Sequence, residues 1–314
     1  MSEKQFTHTL IVEKEDEGTR IDLFFTQHIQ EFNRSLAQQE STQFFINNSL
    51  VKKSKKVKEG ERVTVNYTLT LFEGLVAQDL PLNVIFEDDD LFIINKEQGM
   101  VVHPGNGNKE NTLANALVHR YGSSFFEIIG DEDQDELSLL RPGIVHRLDK
   151  ETSGIMVVAK NRATHETLSN MFKHRNIEKY YIAIVKGRVI PQVGVITSLI
   201  GRDVRNRKRF RVTTSSKGKE AITEYQVLRQ YDGYALLRIH LITGRTHQIR
   251  VHMKSLGHPI VGDTLYGRSS EHSEMMLHAL SLEFIHPTTK ENKRFIAPLP
   301  KRFVHFLSKY TWMA

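Results

Sequence analysis

Arg141-Pro142-Gly143-Ile144-Val145-His146-Arg147-Leu148-Asp149-Lys150-Glu151-Thr152-Ser153-Gly154-Ile155-Met156-Val157-Val158-Ala159-Lys160 is the most informative stretch of this 314-residue chain. Ile155 to Ala159 is a short continuous apolar run and predicts a buried strand. Ahead of it lies a loop dense in ionisable groups: His146, Arg147, Asp149, Lys150 and Glu151. Behind it, Asn161 is placed to cap a helix in which Leu168, Met171 and Phe172 share a face. A charged loop braced by a buried strand and a helix is a common place for catalysis. On the residues alone, two readings of Asp149 stand open. It is a catalytic carboxylate, or one half of a structural ion pair with a neighbouring base.

A second block runs from Leu237 to Gly257. Leu237, Ile239 and Leu241 alternate as one face of a strand. Thr246 is the expected cap of a following helix whose buried stripe takes Ile249, Met253 and Leu256. Gly257 suits that helix's C-terminal end. Arg245 then sits at a strand-to-helix turn, with a permanently charged guanidinium suited to two-pronged pairing with a carboxylate or phosphate. The histidines here have no HExxH or Cys/His spacing, so they read as surface or packing residues and not as metal ligands.

The flanking text is mixed strand and helix from Asn83 onward. Val84 to Phe86 and Leu91 to Ile94 are apolar runs separated by Glu87 to Asp90, which predicts a hairpin. Pro104 to Asn108 reads as a plain turn and Asp131 to Glu136 as an exposed acidic loop. The cations Arg202, Arg205, Arg207, Lys208, Arg209 and Arg211 gather on one predicted loop, either a solvated hairpin or a track for a phosphate backbone. The first seventy residues differ. They give a strand at Thr9 to Val12, helices at Ile21 to Ile29 and Ser35 to Asn47, and a turn at Asn33-Arg34-Ser35. A lysine-rich stretch at 52–58 and an alternating strand from Arg62 to Tyr67 follow.

Composition narrows the classes. A formal net charge of +6 and a sequence pI of about 9.3 fit a polyanionic partner such as nucleic acid, and also fit simple solubility. With no cysteine, a disulfide scaffold, a thiolate zinc site, an Fe–S cluster and a thiol nucleophile are all excluded. The opening residues lack the apolar core of a signal peptide, and no apolar run approaches ~18 residues. The expected compartment is the cytoplasm, with no membrane partner.

Residues 83 to 290 resemble the RluA-type pseudouridine synthases, particularly those acting on large-subunit ribosomal RNA. The resemblance rests on His146-Arg147-Leu148-Asp149-Lys150 with Thr152-Ser153-Gly154, on Thr243 to Arg250, and on Glu178-Lys179-Tyr180-Tyr181-Ile182-Ala183. Leu277-His278-Ala279 and His286-Pro287 add to it. Lys96-Glu97 departs from the more typical Lys-Pro pair, at a turn expected to lie away from the nucleophile. Gly18 to Asp22, Asn33 to Ser35 and Ile46 to Val51 resemble an S4-type RNA-binding domain. Asn48-Ser49 replaces the usual glycine there, and asparagine tolerates left-handed backbone angles.

The resemblance implies an α+β protein: a small S4-like domain at 1–70, a linker at 71–82, and a pseudouridine synthase domain at 83–314 built on a mixed, mostly antiparallel sheet. It implies Asp149 as the nucleophile that lets uracil leave C1′, rotate and reattach through C5. Arg245 pairs with Asp149 and keeps it ionised. Tyr181 stacks on the base or helps proton transfer, with Tyr180 its rival by position. Arg147 fills the gap left by a flipped-out uridine. RNA contacts are expected from Arg147, His146, Arg250, Arg34, Lys52, Lys53, Arg207 and Arg209. No metal, no organic cofactor and no obligate protein partner is implied. Alternatives are the same chemistry on transfer RNA and a non-catalytic S4-type ribosome-associated factor. A carboxylate-dependent hydrolase would want a second catalytic carboxylate or a metal set.

Overall fold

A computed structural model describes residues 2–29, 32, 36–39, 41–71, 75–105, 107–122, 125, 128, 140–206, 208–267 and 274–313. The chain divides into two compact units, 1–74 and 75–314. The division falls inside the stretch read as a linker.

The first unit is a four-stranded antiparallel sheet with one helix. Its strands are β1 (Ser2–Ile11), β2 (Gln43–Ile46), β3 (Ser49–Val51) and β4 (Arg62–Leu71), in the order β1-β4-β2-β3. Helix α1 (Ile21–His28) buries Ile21, Phe24 and Phe25 against Phe32, Phe44, Val63, Val65 and Tyr67. Each such side chain contributes about 1.5–3 kcal/mol by leaving water. The second helix expected at 35–47 does not form over its C-terminal half. Leu36–Gln38 is a single 3-10 turn, and Gln43–Ile46 is strand β2. Phe44 and Ile46 point into the core while Phe45 lies between them on the other face, so burial follows a period of two. Asn47 and Asn48 both have positive φ, 48° and 67°, and turn β2 directly into β3. Arg34 and the turn around it lie outside the described residues.

The second unit is built on one large sheet. Its strands are β5 (Val84–Glu87), β6 (Leu91–Lys96), β7 (Ser153–Ala159), β8 (Glu178–Lys186), β9 (Val193–Arg202), β10 (Phe210–Thr213), β11 (Lys219–Tyr231), β12 (Tyr234–Leu241), β13 (Leu277–Ile285), β14 (Asn292–Ile296) and β15 (Trp312–Met313). The path is β10-β9-β11-β12-β8-β13-β7-β6-β5, with β14 beside β13 and β15 beside β11. All pairings of these strands are antiparallel except β13 with β7. The architecture is thus α+β with a mixed, mostly antiparallel sheet. Every residue of β7 is buried, as its unbroken apolar run requires.

Helices α2 (Leu113–Tyr121), α3 (Arg162–Lys173) and α4 (Gln248–Ser255) join the main core through Leu113, Leu117, Leu168, Ile249 and Met253. Asn161 caps α3 by accepting from the Thr164 N–H at 2.9 Å. Helix α5 (Lys301–Leu307) packs Phe303 and Phe306 on Ile182 and Ile184 of β8. Tyr181, between those two in alternation, belongs instead to the main core with α4. Among the described residues, no helix is long and apolar enough to cross a membrane.

Candidate active site

Three segments meet at one pocket: the loop before β7, the middle of β8, and the β12–α4 connection. Asp149, Tyr181, Arg245, His247 and Arg250 line it, with Arg147 at the same rim. Tyr181 is fixed by the sheet, its backbone paired with Ile239 of β12 and Ala279 of β13. Asp149 is fixed by a turn in which its carbonyl accepts from the Thr152 N–H at 3.0 Å.

The β12–α4 connection is pinned by a side chain that carried no functional signal in the sequence. The Gln248 carbonyl oxygen accepts from Thr243 Oγ1 at 2.7 Å and from the Arg245 N–H at 2.9 Å. Its amide nitrogen donates to the Ile222 carbonyl and to Thr223 Oγ1, each at 2.9 Å. Both ends of the amide are therefore used, and the loop is tied to β11. Thr246 does not cap α4. His247 takes the capping position in a left-handed conformation, φ 57°, and makes no side-chain cap. Leu256, expected in the buried stripe, is 41% exposed, while Arg250 and His252 are buried in its place.

The cation that meets Asp149 is Arg250, not Arg245. Arg250 Nη1 donates to Asp149 Oδ2 at 3.0 Å. Its Nε and Nη2 donate to the two oxygens of Asp263 at 2.7 and 2.9 Å. Arg245 instead donates from Nε to the Glu220 carbonyl at 2.9 Å. The reason is positional: Arg250 lies in the first turn of α4, whose start abuts the Asp149 loop, whereas Arg245 sits before the helix and lies along β11. This overturns the expected Arg245–Asp149 pair. It also removes Arg250 from the free RNA-binding cations, because its guanidinium is committed to two carboxylates. Burial works against the Arg250 charge, but Asp263 and Asp149 together hold its pKa above the ordinary value.

His247 stands on the other side of the carboxylate, with Nε2 3.8 Å from Asp149 Oδ2. Its Nδ1 lies 2.9 Å from the Tyr266 hydroxyl, which accepts from the Phe210 N–H at 2.8 Å. Tyr266 therefore gives its proton to Nδ1, and neutral His247 turns Nε2–H toward Asp149. Burial lowers the His247 pKa, while Asp149 pulls it up. Burial, and then the Asp149 charge, raise the Tyr181 phenol above its usual value, so Tyr181 is a neutral phenol in the pocket.

Lys96 is closer to the site than its place in the sequence suggested. It is 1% exposed, and its ammonium donates to the carbonyls of Glu97, Met100 and Lys150 at 2.8, 2.9 and 3.3 Å. The Lys96-Glu97 turn thus supports the residue next to Asp149. Arg147 is held from another quarter: its Nη1 lies 3.1 Å from His103 Nε2, while His103 Nδ1 donates to the Pro104 carbonyl at 2.9 Å.

The other expected RNA contacts scatter. His146 is stacked on Phe172, ring centroids 4.5 Å apart, and its Nε2 accepts from the Val157 N–H at 3.0 Å. Arg209 is exposed on the β9–β10 connection, next to the Phe210 that touches Tyr266 and His247; Arg207 lies outside the described residues. Lys52 and Lys53 are exposed on the first unit. Asp88, Asp90 and His286 cluster at liganding distance. His286 Nδ1 accepts from the Thr288 and Thr289 N–H groups, so Nε2 donates to Asp88 at 3.0 Å and the group is a hydrogen-bonded clasp.

With this geometry in view, known proteins were compared. The sequence profile described as RNA pseudouridylate synthase matches residues 90–255. The chain belongs to the RNA pseudouridine synthase family. An RNA pseudouridine synthase of Aquifex aeolicus, described as uncharacterized, is 40% identical over 95% of each chain. A protein of Borreliella burgdorferi named ribosomal large subunit pseudouridine synthase D is 38% identical, covering 94% of this chain and 90% of that one. Among solved structures, human RNA pseudouridylate synthase domain containing 1 superposes with a TM-score of 0.59 at 26% identity, over 76% of this chain and 91% of that one. This pseudouridine synthase is therefore an RNA-modifying isomerase, and RNA is its substrate.

Proposed function

We propose that this pseudouridine synthase isomerises uridines of large-subunit ribosomal RNA, with Asp149 as nucleophile on a flipped-out nucleotide. The supporting observation is that Asp149 is the one carboxylate lining the pocket, between Tyr181 and the Arg250 guanidinium. A two-carboxylate hydrolase would need a partner on the opposite wall. Asp149 acts at the glycosidic carbon. The N1–C1′ bond breaks, the base turns within the pocket, and a C5–C1′ bond forms. C5 gives up a proton and N1 gains one, so the product has the composition of the substrate and no redox partner or energy source enters. Tyr181 supplies a ring against the base and a neutral hydroxyl for proton transfer. Arg147 fills the space the uridine leaves, offsetting part of the few kcal/mol that flipping costs.

Relatives named for the large ribosomal subunit support that substrate. The first unit serves as an S4-type RNA-binding domain, with Lys52 and Lys53 on phosphates, and the enzyme works in the cytoplasm. The test is pseudouridine mapping of total RNA from cells lacking the protein, restored with wild type or with Asp149→Asn. A ribosomal uridine that loses its modification and regains it with wild type alone is the expected result. A transfer RNA site in its place would replace the substrate, and rescue by Asp149→Asn would end the nucleophile assignment.

A further inference from the structure

A second cleft, of about 440 Å³, opens beside the Asp149 pocket and shares Arg147, Tyr181, Leu241, Gly244 and Arg245 with it. Its far wall adds Lys173, Arg175 and Lys179, and no carboxylate lines it. Five cations around a cleft that size make a site for a polyanion. Their commitments are light: Arg175 Nη2 is 3.4 Å from Glu220, and Lys179 donates to the Ile177 carbonyl at 3.0 Å. The cleft also has an aromatic side, the stacked pair His146 and Phe172. Burial, reinforced by Lys179, takes the His146 pKa down to about 3, so the ring is neutral. Because Nε2 accepts from Val157, the proton sits on Nδ1, and no described residue accepts it.

We propose that this cleft seats the nucleotide adjoining the one being isomerised, its phosphate among Lys173, Arg175 and Arg245 and its base beside Phe172 and the His146 Nδ1–H. The proposal rests on the isomerase reading of the Asp149 pocket, since adjoining is defined from there. Two pockets that share a wall, one with a carboxylate and one with only cations, suit a chain whose reacting sugar enters the first while its phosphodiester continues into the second. A neutral donor at fixed height would favour a base that offers a carbonyl oxygen.

The test uses the full-length protein and a fluorescein-labelled uridylate pentamer, with binding followed by fluorescence anisotropy across salt concentrations. Each lost phosphate contact lowers the slope of log K against log salt by about 1. The paired variant Lys173→Glu/Arg175→Glu is expected to lower it by about 2, and Lys173→Gln alone by about 1. Arg294→Glu, an exposed change on β14, should leave it unchanged. A pentamer with 4-thiouridine at its second or fourth residue should photo-cross-link within 172–179 in the wild type and lose that cross-link in the paired variant. Equal slopes for Arg294→Glu and the paired variant, or cross-links confined elsewhere, would overturn the proposal. The assay reads binding and not turnover, so failure of the nucleophile assignment at RNA mapping would show separately.

Discussion

Arg250 holds Asp149 by one nitrogen at 3.0 Å while its other two nitrogens grip the fully buried Asp263. The carboxylate thus rests on a cation that cannot swing away. Arg250→Ala should lose about 3–5 kcal/mol of stability, because Asp263 would keep only the Leu265 and Tyr266 N–H groups inside the protein. Arg250→Lys keeps the charge but loses the fork, and its kcat should fall on the order of 100-fold with KM little changed. Arg245→Ala should melt near wild type and act mainly by raising KM, since Arg245 lines both clefts without touching Asp149. Urea titration with steady-state kinetics checks all three; an Arg245→Ala enzyme that loses kcat at constant KM would restore the pairing read from the sequence.

Tyr181→Phe separates the ring from the hydroxyl. The ring's packing against Ile239 and Ala279 survives the change, so RNA affinity and melting temperature should hold. If the neutral phenol handles a proton, kcat should drop by about 10²–10⁴-fold. Full turnover by Tyr181→Phe would leave Tyr181 only its stacking role.

The strands and helices around the site were legible because their signals are local. The apolar run before Lys160 and the alternation ahead of Leu241 fixed β7 and β12, and Asn161 marked the start of α3. The pocket's membership was legible too, since Asp149, Tyr181 and Arg245 do line one cavity. The choice between Arg245 and Arg250 was not. It depends on how α4 is rotated against the Asp149 loop, and on a buried Asp263 that stands alone in the text with no pattern around it. Lys96 was equally silent, because its partners are backbone carbonyls, which every sequence has. The failed helix at 35–47 shows the reverse error: helical spacing of a few aromatics was outweighed by the period-two burial of Phe44 and Ile46 on a sheet.

Buried neutral histidines set an acid limit on stability. Burial depresses His146 to about 3, and His252 and His278 to about 4. In the unfolded chain each takes a proton near pH 6.5. Between about pH 6.5 and 4 the unfolded state therefore binds more protons, and folding stability falls as pH falls, by up to about 1.4 kcal/mol per pH unit for each histidine. Urea titrations at pH 7, 6, 5 and 4.5 should show this loss, and His252→Gln should show a shallower one. A wild-type curve that stays flat from pH 6.5 to 4.5 would contradict the three assignments.

Gly154 is demanded by the one parallel pairing in the large sheet. It lies opposite Ala279 at φ +121°, and a Cβ there would stand 2.2 Å from the Ala279 carbonyl oxygen. Backbone cannot yield as a side-chain tip can. Gly154→Ala should therefore lose about 1–3 kcal/mol to backbone strain, and about 1–3 kcal/mol more to overpacking. Gly99 is the matched control: its φ is +89°, with nothing within 4 Å of an added Cβ, so Gly99→Ala meets the strain alone. Comparing the two melting temperatures isolates the contact. Gly154 also follows Thr152, whose N–H holds the Asp149 carbonyl, so a shifted β7 moves the nucleophile. The surviving folded fraction of Gly154→Ala should turn over more slowly per molecule than Gly99→Ala. Equal melting temperatures for the two variants would mean that β7 and β13 part easily, and that the sheet does not hold Asp149 in place through Gly154.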